Sequence, residues 1–162
     1  MKKLLALIIC FLIIGASYNT TAETVSKKQT KEQIAQNSAK EKFLEGAKDV
    51  IKTYKKLQYK IESGMNYTDY RRAIADAHSE FKMFIDSPAA QYKDEKYSKF
   101  SSIITADLQY GFAAETWSFM ISNAGNYGFD QSLKDQAKRD MQENWRNAAA
   151  SVADAEECLS QP

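Results

Sequence analysis

The feature that most constrains the fold is the spacing of large apolar residues, which recur at intervals of three and four. The clearest stretch lies between residues 43 and 61 and contains Phe43, Ala47, Val50, Tyr54, Leu57 and Ile61. This spacing places the side chains on one face of an α-helix. No stretch keeps the alternation of a β-strand, and both prolines lie outside the long periodic stretches. The pattern predicts an all-α fold.

Turn residues divide the periodic sequence into four predicted helices. The first ends at about Ser63, before Gly64, and the second ends before Ser87-Pro88. The third spans roughly 94–122 and the fourth follows Asp130, which is a good N-cap, as is Asn66 for the second helix. Short connections favour antiparallel neighbours. We therefore expect an antiparallel up-down bundle, with three long hairpin-linked helices and a C-terminal one, in a single domain at 39–160.

The third predicted helix differs from the others because its apolar residues cover well over half of its circumference. They are Phe100, Ile103, Ile104, Leu108, Tyr110, Phe112, Trp117, Phe119 and Ile121. A helix that is apolar nearly all round is typical of a central position. The sequence predicts that this helix is the most enclosed element.

The N-terminus has the pattern of a secretory signal peptide over residues 1–22. Two lysines precede an apolar run from Leu4 to Ile14, and small residues lead to a cleavage site after Ala22. The run has about 11 residues, whereas a membrane-spanning helix needs about 20, so an uncleaved anchor is the weaker alternative. A polar stretch at 23–38 is expected to form a flexible lead-in. We expect no membrane span after cleavage, and a periplasmic or secreted location.

Charge and cysteine content exclude several classes of protein. Removal of residues 1–22 removes two lysines and changes the net charge from +1 to −1. A nearly neutral chain with mixed charges gives no electrostatic reason to bind nucleic acid. Cys10 leaves with the signal peptide, so Cys158 has no partner within the chain. A partly buried free thiol is expected there, with an intermolecular disulfide as the alternative.

Catalytic and cofactor motifs are missing from the sequence. His78 is the single histidine, which excludes the usual zinc and di-iron ligand sets. The chain contains no Gly-rich phosphate loop and no nucleophile elbow. We expect a protein without catalytic activity, cofactor or metal. No motif is specific enough to indicate a family.

One group of polar residues falls within the predicted core. Asp107 and Glu115 lie on the apolar face of the third helix, and Arg71, His78 and Asn144 are candidate partners on the second and fourth helices. An unpaired buried charge is costly, so these residues are expected to meet. They form either an internal network that fixes the helix register or a pocket for a cationic ligand. The two carboxylates are about 12 Å apart along the helix axis, too far to act on one bond.

The turn-rich segment 123–129 carries two aromatic residues, Tyr127 and Phe129, which are candidates for a contact loop. The many other aromatic residues are expected in the core of a small domain without disulfides. The sequence therefore predicts an exported, non-enzymatic interaction module that binds a protein or envelope component. The alternative is a carrier or sensor of a small ligand at Asp107 and Glu115.

Overall fold

The computed structural model describes the backbone of residues 2–160 and the side chains of residues 31–95 and 97–160. The described residues form four α-helices and no strand: α1 (Lys2–Glu62), α2 (Tyr67–Ile85), α3 (Ser102–Ser122) and α4 (Gln131–Ser160). Two short 3-10 helices, Pro88–Gln91 and Glu95–Ser101, lie between α2 and α3. The prediction of an all-α chain with four helices is confirmed.

The chain divides into two compact units, residues 1–41 and 42–162. The first unit consists of the N-terminal part of α1. The predicted signal peptide lies outside the residues whose side chains are described, so it stays a prediction. The predicted lead-in at 23–38 is helical, and its side chains from 31 to 38 are exposed.

Local capping at three helix ends follows the sequence. Gly64 has a φ of 82°, a left-handed conformation that glycine adopts without steric strain. Asn66 accepts a hydrogen bond on its side-chain oxygen from the backbone N–H of Asp69 at 2.9 Å, which caps α2. Asp130 accepts in the same way from the backbone N–H of Leu133 at 3.0 Å. These predictions of helix ends are confirmed.

The third helix begins later than the periodicity predicts. Residues Glu95–Ser101 form a 3-10 helix, and α3 starts at Ser102. Ser101 donates its hydroxyl hydrogen to the backbone carbonyl of Ser98 at 2.8 Å, and Ser102 donates in the same way to Lys99 at 2.7 Å. Serine hydroxyls that bond nearby carbonyls compete with the α-helical backbone pattern, so they favour the tighter turn here.

The core of residues 42–160 contains buried side chains from all four helices. At one end, the Phe43 ring contacts the rings of Phe84 and Phe100 with centroid separations of 5.8 and 5.7 Å. At the other end, Trp117 and Trp145 pack edge to face at 5.8 Å. Such ring contacts contribute beyond the area that they bury. The core is therefore aromatic at both ends.

Two helical glycines provide a matched test of the packing. A Cβ atom at Gly46 would lie 2.6 Å from Cδ2 of the buried Phe84 ring, whereas a Cβ atom at Gly111 would meet nothing within 4 Å. We expect Gly46→Ala to lower the free energy of unfolding by about 1–3 kcal/mol, because the clash exceeds the gain in helix propensity. Gly111→Ala should raise it by about 0.5–1 kcal/mol. Urea denaturation of both variants measures the two changes in the free energy of unfolding. If both variants shift it in the same direction, the close packing of Gly46 against Phe84 is contradicted.

Cys158 provides a second test of the core. Its side chain is buried and its thiol lies 3.1 Å from the carbonyl oxygen of Ala155. Burial raises the pKa of the Cys158 thiol, with an opposing effect of the Lys99 charge. Because the thiolate is the reactive form, a Cys10→Ser variant at pH 8 should react with a thiol-specific reagent roughly 100-fold more slowly when native than when unfolded. A disulfide-linked dimer on a non-reducing gel would instead support the intermolecular alternative.

Candidate functional site

The centre of the predicted polar cluster is Asp107, on the α2-facing edge of α3. The hydroxyl of Tyr54 donates to Oδ1 of Asp107 at 2.6 Å, and Nδ1 of His78 lies 2.8 Å from Oδ2. Because a carboxylate only accepts hydrogen bonds, both partners donate to it. The side chain of Asp107 is 13% exposed and that of His78 is 58% exposed. Asp107 therefore links α1, α2 and α3 at the margin of the core.

Tyr54 is the partner that the sequence did not identify. It is fully buried, and its ring stacks on that of Tyr110 at a centroid separation of 5.9 Å. Burial, followed by the hydrogen bond and the charge of Asp107, raises the pKa of the Tyr54 hydroxyl well above its usual range. The hydroxyl therefore stays protonated and remains a donor. In the sequence, Tyr54 is an apolar-stripe residue of the first helix, and nothing there marks its hydroxyl as a partner of Asp107.

A second buried hydroxyl joins three helices behind this site. Tyr70 donates its hydroxyl hydrogen to the backbone carbonyl of Tyr110 at 2.7 Å, and the indole N–H of Trp145 donates to the Tyr70 oxygen at 3.0 Å. Burial also raises the pKa of the Tyr70 hydroxyl, while the hydrogen bond from Trp145 opposes that rise. These two bonds connect α2 to α3 and α4 to α2.

The remaining predicted cluster residues form no hydrogen bond with Asp107 among the described residues. Arg71 and Glu115 are exposed, and they line a groove of about 350 Å³ between α2 and α3 together with His78 and Asp107. Asn144 is partly buried on α4 and forms no hydrogen bond with Asp107 in the described part of the chain. The expectation of an enclosed cluster is therefore corrected. Arg71, His78 and Glu115 face solvent, and the observed polar contact is Tyr54–Asp107–His78.

Helix geometry explains the position of Glu115. Each step of four residues rotates a side chain by about 40° around an α-helix, so Glu115 lies about 80° further round α3 than Asp107. The buried face of α3 is formed by Ile103, Ala106, Tyr110, Ala113 and Ala114. Asp107 borders this face, whereas Glu115 is well beyond it.

The outer face of α3 is apolar and exposed, which corrects the prediction that this helix is the most enclosed. Ile104, Leu108, Phe112 and Phe119 are 51%, 53%, 49% and 53% exposed. We call these four residues the outer face of α3. Their spacing of four, four and seven places them together on the side opposite the core, where the exposed Glu115 lies between Phe112 and Phe119. The sequence showed that α3 is apolar nearly all round, but not that one side is exposed in the described part of the chain.

The two candidate residues of the contact loop separate in the structure. Tyr127 is fully exposed, in agreement with a surface position. Phe129 is buried, and its ring packs edge to face on Phe119 at 5.3 Å. Lys134 Nζ lies 5.8 Å from the centroid of the Phe129 ring, a cation–π distance. Phe129 thus anchors the loop to α3 instead of presenting itself to a partner.

The described residues also give no indication of a metal site or of a membrane-spanning helix. Within residues 31–160, no group of three or more His, Cys, Asp or Glu side chains could hold a metal ion. None of the helices, over the same part of the chain, has an apolar stretch long enough to cross a membrane. Comparison of the chain with models of protein families, with curated proteins and with solved structures finds no match. The class that the structure itself defines is an all-helical protein with four α-helices.

The contacts of Asp107 lead to a matched pair of substitutions. We expect Asp107→Asn to lower the free energy of unfolding by about 1–3 kcal/mol. The amide N–H group of the asparagine would then face one of the two hydrogen-bond donors, Tyr54 or His78, instead of an accepting oxygen. Glu115→Gln should change it by less than about 0.5 kcal/mol, since the Glu115 side chain is exposed. Chemical denaturation followed by circular dichroism measures both.

Tyr54→Phe is the control for this interpretation. If the Tyr54–Asp107 bond accounts for the lost stability, the variant that combines Tyr54→Phe with Asp107→Asn should lose less free energy of unfolding than the two single variants together. The difference should be about 0.5–3 kcal/mol. Strict additivity would show that the two residues act independently.

Proposed function

We propose that this chain is an exported, non-enzymatic interaction module that binds a protein partner on the outer face of α3. In this proposal the N-terminal segment is cleaved after Ala22, and the four helices form an antiparallel up-down bundle that acts in the periplasm or outside the cell. The leader-like sequence of residues 1–22 supports export. The exposed apolar row on α3 is the observation that carries the binding function.

The row has the length and spacing of a helix-docking surface. From Ile104 to Phe119 it extends about 22 Å along the axis, at a rise of 1.5 Å per residue. Isolated exposed apolar residues are common, but contiguous rows of large ones mark contact sites. Partner helices commonly place apolar residues at this kind of interval into a neighbouring groove. The row therefore suits an amphipathic helix of a partner.

Charged residues beside the row define the chemistry of that partner. Arg71 on α2 and Asp140 on α4 line the grooves on the two sides of α3. Neither residue forms an ion pair within residues 31–160. The α2-side groove also holds the carboxylates of Asp107 and Glu115, so its charges are mixed, whereas Glu115 and Asp140 make the α4-side groove acidic. A bound helix with a basic edge toward α4 would complement that side.

The alternative function, a carrier of a small cationic ligand at Asp107 and Glu115, has less geometric support. Both oxygens of Asp107 already accept hydrogen bonds, from Tyr54 and His78. A ligand at this position would have to displace His78 or share an oxygen with it. The groove there also opens to solvent, whereas a carrier usually encloses its ligand.

The proposal is tested with a photo-crosslinking amino acid at position 112, produced in the native host. We expect a discrete adduct that Leu108→Asp reduces at least tenfold, because a buried aspartate would oppose docking. Met83→Asp is the matched control, since Met83 is exposed to a similar extent as Leu108 but lies on α2, about 140° round that helix from His78. It should leave the adduct unchanged.

Other outcomes assign different partners or contradict the proposal. An adduct of twice the chain mass would identify a second copy as the partner. A crosslink from position 127, with none from position 112, would place the contact in the 123–129 loop. If no adduct forms, and a small amine raises the melting temperature of the purified protein while Asp107→Asn abolishes that rise, the carrier function replaces the proposed one.

A further inference from the structure

A second surface, between α1 and α4, has a different chemistry. Five lysines of α1 line a groove of about 740 Å³, namely Lys48, Lys52, Lys55, Lys56 and Lys60. We call it the lysine groove. A single carboxylate, that of Glu156, lines the same groove. The groove is therefore strongly positive, although the whole chain is nearly neutral.

Ion pairing within the groove leaves four lysines available. Nζ of Lys55 lies 2.8 and 2.9 Å from the two carboxylate oxygens of Glu156, so this pair is satisfied. The other four lysines form no ion pair within the described part of the chain. They follow each other at intervals of four residues, from 48 to 60. At 1.5 Å per residue, the four ammonium-bearing positions are about 6 Å apart and extend over about 18 Å.

The floor of the groove is apolar. Ile51 and Leu159 line it from α1 and α4, and the ring of Tyr59, which is 71% exposed, lies at the same surface. Lysine side chains add the methylene groups of their stems to such a floor while their charges remain in water. The groove thus combines a narrow apolar seam with a row of positive charges along one edge.

We propose that the lysine groove binds an acidic amphipathic helix of a partner protein. Aspartate or glutamate residues at four-residue intervals would face the four free lysines, and apolar residues on the adjacent face would contact Ile51, Tyr59 and Leu159. The complementarity is one of both sign and spacing, because carboxylates on one helix face repeat at the same 6 Å step. This surface is separate from the outer face of α3, so the inference does not depend on the proposed function.

The length of the row favours a helix over other anions. A single phosphate or fatty-acid head group would neutralise one or two lysines and leave the others unpaired. A flat anionic bilayer would contact the rim of the groove but not its apolar floor. An extended partner with repeated charges fits both the row and the seam, and a helix lying in a groove between two helices is a common mode of recognition.

The test uses an 18-residue synthetic helix with glutamates at four positions spaced four apart and leucines on the adjacent face. Fluorescence anisotropy of the labelled peptide measures its affinity for the purified protein. We expect binding that weakens at least tenfold between 50 and 500 mM NaCl, because the contacts are ionic and exposed. Lys52→Glu combined with Lys56→Glu should weaken it at least tenfold more.

The matched control variant carries Lys82→Glu and Lys138→Glu, which change the net charge equally at exposed lysines of α2 and α4. It should bind within twofold of the unchanged protein. Leu108→Asp should also bind normally, which separates this test from that of the α3 surface. Circular dichroism and a melting curve establish that both double variants fold.

Two further binding experiments can overturn the inference. A scrambled peptide of the same composition, with glutamates on all faces, should bind at least tenfold more weakly, and equal binding would show that only the net charge matters. Vesicles of phosphatidylglycerol are the second arm. If they bind with the same dependence on Lys52 and Lys56 while the helical peptide does not bind, the groove is a membrane contact and the inference is wrong.

Discussion

The relative positions of the helices depend on two buried tyrosine hydroxyl groups that form hydrogen bonds with other helices. A buried hydroxyl without a hydrogen-bond partner is costly, and within the described residues the Tyr110 hydroxyl is such a group, whereas the hydroxyls of Tyr54 and Tyr70 each meet a specific atom of another helix. Tyr54 meets the carboxylate of Asp107, and Tyr70 meets the carbonyl of Tyr110 and the indole of Trp145. Apolar contacts alone would tolerate a shift of one helix along another, whereas these bonds specify the register.

The same arrangement determines which face of α3 remains uncovered. Because Tyr110 points toward Tyr54 and Asp107 is held beside His78, the opposite side of α3 faces solvent and carries Leu108 and Phe112. That exposed apolar row and the lysine groove differ in chemistry and are formed by different helices. If both surfaces bind partners as proposed, the protein contacts two partners at once, as an interaction module does.

Much of the fold could be predicted from local sequence, since helix ends are set by a few nearby atoms. Gly64, Asn66 and Asp130 adopt the capping roles expected of them. The pairing of Asp107 with His78 was also among the predicted contacts. The exposure of Glu115 and the burial of Phe129 were not predicted, because both depend on which side of α3 its neighbours cover.

The sequence by itself determined the helical class and the approximate helix ends, because periodicity and capping are properties of neighbouring residues. Tertiary structure decided the rest. Four lysines at intervals of four are visible in the sequence, but only the position of α4 beside α1 turns them into a groove with an apolar floor. In the same way, a helix that is apolar all round contains no information about its open side. Burial is a property of the neighbours that pack against a residue, and those neighbours come from distant parts of the chain.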